Sequence, residues 1–283
     1  MKSLRESLLD NDLIGKTDKL IKDEINLFLK ENYKGVFKVS KTPNSDGKYE
    51  VSSTKDIEVK NKNITSLTNG MFIWTTVNGS FVVRHCPSLE SLKGAPKEVT
   101  SDFNCIGCSS LTSLEGAPEK VGKDFDCISC KSLKNLKGAP KEVGGSFDCS
   151  FCHSLESLKD APKEVGGDFD CHGCEFLTSL EGAPKGVGKD FDCWGNESLE
   201  SLQGAPEKVG RNFHCYSCKS LKSLKGTPKE VGGSFICTFC ESLKSLKGAP
   251  KEVGGDFDCR LCKIKFTADD VRKISNVKGE IKC

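Results

Sequence analysis

Cysteine returns at a fixed interval along this chain. Cys105, Cys127, Cys149, Cys171, Cys193, Cys215, Cys237 and Cys259 each lie 22 residues from the next. A second series runs three positions behind: Cys86, Cys108, Cys130, Cys152, Cys174, Cys218, Cys240 and Cys262, with Asn196 in the place of a missing cysteine. Residues 86–261 are eight units of 22 without an insertion, reading C-x-S-L-x-S-L-x-G-A-P-x-x-V-G-x-x-F-x-C-x-x. A repeat of this length cannot bury its own apolar edge. Only stacking of successive coils makes a continuous core, so the period predicts a solenoid.

The F-x-C segment alternates. Phe125 and Cys127 point inward, and Asp124, Asp126 and Ile128 point outward. Strands from successive coils then stack in parallel, about 4.8 Å apart. The G-A-P segment cannot form the interior of a helix, because proline lacks a donor and glycine is too permissive. The far side of each coil is therefore expected to be extended or turn-like, with little curvature.

Cys130, Leu133, Leu136, Pro140, Val143 and Phe147 carry a further pattern, C-x-x-L-x-x-L, then proline, valine and phenylalanine. It resembles the cysteine-containing leucine-rich repeats of the bacterial surface-antigen class. That resemblance implies a β-rich leucine-rich repeat solenoid over residues 77–262, with a small α+β N-terminal cap (1–76) and a short helical C-terminal cap (263–283). The opening MKSLRESLLD, followed by a helix and repeats, is similar to repeat proteins of large tailed bacteriophages, which implies action in the cytoplasm of a host cell.

The 17 cysteines admit several chemistries. Cys105, Cys108, Cys127 and Cys130 have the C-x2-C-x18-C-x2-C spacing of a zinc site. The same spacing follows from coil stacking alone. Val83 stands in one first position and Asn196 in one second position, and valine cannot ligate a metal. The first cysteine therefore reads as core, packing as a small hydrophobe. The second reads as a buried Cys/Asn ladder that hydrogen-bonds neighbouring backbone, as the resemblance implies. No metal and no cofactor are expected. Zinc or iron binding, and a structural role in a virion, stay open as alternatives. Acids near the N-terminus argue against a signal peptide, and a reducing cytoplasm would keep the thiols free.

At the front, TDKLIKDEINLFLKENY reads as a helix with Thr17 as N-cap and Leu20, Ile21, Ile25 and Phe28 on one face. FKVSK and KYEVSS read as strands around the turn PNSDG, and DIEVKNKNITSL as a degenerate coil. At the back, FTADDVRKIS reads as a helix capped by Thr267 with Asp270 closing a capping box. Both ends can serve as caps, and the N-terminal region could also dock a partner.

The net charge of +2 gives no overall attraction to nucleic acid or to an anionic membrane, and neither partner is expected. Nor does any run of apolar residues reach transmembrane length. The charge is unevenly placed, however. Outward strand positions form three rows across the coils, and ten of 24 positions from Asp102 to Arg260 are Asp. Asp126, Asp148, Asp170 and Asp192 follow one another, with His214 next; beside them run His172, Trp194 and Tyr216. Lysines such as Lys137, Lys141 and Lys229 crowd the other faces, which suggests two faces of opposite sign. These eight strip residues are the candidate binding site for a basic protein partner of unknown identity, because aromatics dominate interface hot spots and clustered carboxylates steer cations. None of the four histidines lies in a catalytic motif, so the expected function is non-enzymatic protein binding.

Overall fold

Every coil of the solenoid makes the same two short strands. Glu142–Val143 and Phe147–Asp148 are one such pair, separated by the sharp turn Gly144–Ser146. The computed structural model describes residues 11–283, and the opening MKSLRESLLD lies outside them. The strands assemble into two sheets of twelve, one carrying the Phe–Asp strands and the other the strands that contain Val. Pairing is parallel and in register: Phe125 lies opposite Phe147 and Asp126 opposite Asp148. The chain is thus a β-solenoid, and its sequence columns are also rows in space.

The core follows the alternation. Phe81, Phe103, Phe125, Phe147 and Phe169 are fully buried, and their rings stack with centroids 5.1 to 5.9 Å apart. Burial of one such side chain stabilises by about 2–3 kcal/mol, so the column is a principal stabiliser of the stack. Leu133, Leu136 and Val143 complete the same coil's interior. One backbone contact sets how closely coils approach. A Cβ on Gly166 would sit 2.2 Å from the Gly144 carbonyl oxygen, and one on Gly188 would sit 2.2 Å from that of Gly166. Glycine is required there for space, since only a bare Cα admits that carbonyl.

Both sheets continue into the N-terminal region. Ile57–Val59 pairs in parallel with Phe81–Val82, and Tyr49–Ser53 with Phe72–Val77. The sheets therefore cross residues 76 and 77 without a break. Tyr33–Lys34 and Lys38–Val39 close the two edges by antiparallel pairing. Helix α1 (Asn11–Asn32) lays Ile25 and Leu29, both fully buried, over this end, and Phe28 meets Phe72 at 5.9 Å. Two expectations for this helix are corrected. Thr17 lies inside it and does not cap it, because the described helix already begins at Asn11. Leu20 is 65% exposed and Leu29 takes the core position instead, because the apolar face is set by Ile25 and Leu29 at i, i+4.

Helix α2 (Ala268–Arg272) caps the other end, with Thr267 and Asp270 forming the expected capping box. Among the described residues no helix is long and apolar enough to cross a membrane.

Candidate functional site

The second cysteines form a ladder. Cys130 Sγ donates to the Cys105 carbonyl at 3.2 Å, Cys152 to Cys127 at 3.2 Å and Cys218 to Cys193 at 3.3 Å. Asn196 occupies the same place and bonds more fully. Its Nδ2 donates to the carbonyls of Cys171 at 3.1 Å and Cys193 at 3.0 Å, and its Oδ1 accepts from the backbone N–H of Cys174 at 2.7 Å. The first cysteines are sealed beneath. Burial pushes the thiols of Cys149, Cys171, Cys193, Cys215 and Cys237 well above the ordinary range, so they remain protonated. Among the described residues no three His, Cys, Asp or Glu side chains converge as metal ligands would.

Sequence reasoning missed a second ladder. The first outward row does not simply face solvent: Asp102 Oδ1 accepts the N–H of Asp124 at 3.2 Å, and Asp124 Oδ1 that of Ser146 at 2.7 Å. Ser146, Asp168, Asp190 and Asn212 continue the relay. These carboxylates are held by the fold and serve as coil-to-coil fasteners. The signal was present in the column's composition, which is restricted to Asp, Asn and Ser, the side chains that bond backbone N–H groups locally.

The next row holds the predicted Asp126, Asp148, Asp170 and Asp192, all half-buried. They are less equivalent than the sequence suggests. Asp126 accepts from Asn104 at 2.7 Å. His172 Nδ1 lies 2.6 Å from Asp170 Oδ1, and His214 Nδ1 lies 2.5 Å from Asp192 Oδ1. Asp148 takes the backbone N–H of Ser150 at 2.8 Å and makes no ion pair among the described residues. Burial first, and then the Asp170 charge beside it, pushes its carboxyl up to about 6. Burial and then Asp124 raise Asp126 as well. Burial pulls His214 down, but the Asp192 hydrogen bond and the charges of Asp192, Asp190 and Asp170 together raise it above an ordinary histidine.

Beside the carboxylates the aromatic rings form one stack. His172 and Trp194 lie face to face at 4.0 Å, and Trp194 and Tyr216 at 5.1 Å, with planes within 11°. All three are half-buried. The structure adds Phe151, whose ring meets His172 edge-on at 4.5 Å. Phe151 has φ +55° and is 41% exposed. A bulky residue in this left-handed region costs about 1–2 kcal/mol. A Cβ at Gly173 would come within 2.9 Å of that ring, so glycine in the next coil makes room for it. Gly and Ser fill most of this column, so a phenylalanine there was the available clue. Phe239 and Leu261 share the column, the positive φ and the exposure.

The idea of two faces of opposite sign is corrected. Lysines on the other faces are laced with glutamates one coil away: Lys137 with Glu115 at 2.7 Å, Lys219 with Glu197 at 2.6 Å and Lys222 with Glu200 at 2.8 Å. The strip is the face richest in aspartate, with His172 and His214 paired into it, and the lysine-bearing faces are mixed in sign. When the chain is compared with known protein families, curated proteins and solved structures, none matches it.

Proposed function

We propose that this protein is a non-enzymatic scaffold that docks a basic protein partner along the strip of Asp126, Asp148, Asp170, Asp192, His172, His214, Trp194 and Tyr216. One observation carries the reading. Trp194 is clamped between His172 and Tyr216 and stays half-buried, in the row next to the carboxylates. A clamped aromatic has already lost its rotamer freedom, so a partner binds it at little further entropic cost. A guanidinium or ammonium arriving beside Asp148 would offset the repulsion from Asp170 and would be steered there at long range. Phe151 extends the apolar edge of the same strip.

The Cys/Asn ladder supports placing the solenoid beside the cysteine-containing leucine-rich repeats of the bacterial surface-antigen class. On the likeness to phage repeat proteins, the setting is a bacterial cytoplasm and the partner a host protein that is bound and occluded. The test compares wild type with Trp194→Ala combined with Asp170→Lys in recovery of protein from host-cell extract, followed by affinity measurement on whatever is identified. The variant should lose at least tenfold in affinity, and wild-type binding should weaken with salt. Equal recovery by both proteins would refute the strip. Near-stoichiometric zinc or iron in the purified protein would replace this reading with metal binding.

A further inference from the structure

Cys283 stands in step with the column of first cysteines. Ile281–Lys282 pairs in parallel with Phe257–Asp258, with Ile281 opposite Phe257 and Lys282 opposite Asp258. Cys283 therefore follows beside Cys259, whose N–H donates to the Lys282 carbonyl at 2.9 Å. The two sulfurs are 3.4 Å apart. Of the 17 cysteines, Cys283 is the exposed one, and the other sixteen are buried. Its thiol borders a cleft of about 700 Å³ whose lining includes Leu261, Ile264 and Phe266, so a small oxidant can reach it. Cys262, the other thiol at this end, is turned into the ladder and donates to the Cys237 carbonyl at 3.3 Å.

We propose that Cys283 is a hydroperoxide-sensitive modification site and that Cys259 is its resolving thiol, the two closing a disulfide that fastens the C-terminal cap to the solenoid. The Cys283 thiolate attacks one oxygen of the hydroperoxide. The O–O bond breaks, leaving Cys283 as a sulfenic acid and releasing water from hydrogen peroxide, or an alcohol from an organic hydroperoxide. The Cys259 sulfur then attacks the sulfenic sulfur. The S–O bond breaks, the S–S bond forms at about 2.05 Å, and the departing hydroxide takes the Cys259 proton and leaves as water. Two electrons pass from the sulfurs to the peroxide. Burial raises the Cys259 thiol, so it stays inert to oxidant in solution and reacts only with a partner already beside it. The bridge would close a loop running from Arg260 to Lys282, and so enclose α2 and the last two strands, Asn276–Val277 and Ile281–Lys282. That segment is otherwise held by short strands, by the buried Val271 of α2 and by the ion pair of Lys282 with Asp256 at 2.7 Å.

The experiment treats the full chain with a few equivalents of hydrogen peroxide and reads intact mass and the peptide map. Wild type should lose two hydrogen atoms, about 2 Da, and yield a linked Cys259–Cys283 peptide, with the other fifteen thiols still free on unfolding. Hydrogen exchange in the segment 276–283 should slow severalfold, and a dithiol should reverse both changes. Cys283→Ser should show no mass loss. Cys259→Ala should instead carry Cys283 on to the sulfinic acid or to an intermolecular dimer. Should Cys259→Ala fail to fold, the wild-type map decides alone. Cys283 recovered as sulfinic acid, as an intermolecular dimer or linked to Cys262 in wild type would overturn the proposal.

Discussion

Asn196 accepts the backbone N–H of Cys174 through its Oδ1 at 2.7 Å, a bond that no thiol at this position could make as well. The one break in the second cysteine series is therefore the best-bonded rung of the ladder. Its amide also donates to two carbonyls, where Cys174 itself donates to Cys149 and, more distantly, to His172.

Truncation at this rung should be costly. Asn196→Ala takes the partner from the buried Cys174 N–H and the Cys171 carbonyl, leaves the Cys193 carbonyl only the Cys218 thiol, and should destabilise by about 2–4 kcal/mol. Asn196→Cys keeps a donor toward Cys171 and should cost about 1 kcal/mol. Denaturant unfolding of the three proteins would show the order, and equal losses for the two variants would contradict it.

Two glycines should separate backbone crowding from backbone conformation. Gly166→Ala places a Cβ 2.2 Å from the Gly144 carbonyl oxygen and should cost about 3 kcal/mol or more, since a packed coil cannot move aside. Gly195 has φ +68°, and its nearest neighbour for a new Cβ is 3.9 Å away. Gly195→Ala should cost only about 1 kcal/mol, the ordinary penalty of the left-handed region. Thermal melts of the pair provide the comparison.

Thiol accessibility follows from the burial of the columns. A bulky alkylating reagent should label Cys283 rapidly in the folded protein and all 17 cysteines after unfolding. Mass spectrometry counts the adducts. Rapid native labelling of most thiols would mean that the sulfurs are not interior.

The strip should make stability fall as pH rises. Asp148 binds its proton more tightly when folded, its carboxyl being pushed up to about 6. Its contribution is full below the unfolded carboxylate value, about 4, and is lost as pH climbs through 6. His214 is raised as well, so its contribution is present in its protonated range and disappears above its folded value. Asp148→Asn should raise the melting temperature by a few degrees at pH 7.5 and change little at pH 4. In NMR titration, Asp192→Asn should bring His214 down, because its direct hydrogen-bond partner loses its charge.

Much of this fold is written in the sequence because one coil determines the next. Phe125 and Cys127 alternate with Asp126, and in-register stacking turns that local rule into a sheet. The Cys/Asn exchange at Asn196 identified the ladder, and Thr267 with Asp270 marked the last helix. What stayed hidden depends on where side chains reach beyond their own coil. Asp124 reads as an exposed charge until the N–H of Ser146 is seen beneath it. The pairing of Asp170 with His172, and the ring of Phe151 lying over Gly173, likewise require the path of the turn. Thr17 misled because a capping residue type also occurs inside helices, and the helix was already under way.

The carbonyl that Gly144 offers to Gly166 is the one that Gly166 offers to Gly188. The joints from Gly144 to Gly254 are thus cut to one pattern, so 22 residues could be excised or duplicated between equivalent points there and the seam would close on matching groups. Length is then a free variable of this molecule, adjustable by simple recombination, while the two capping ends are inherited intact.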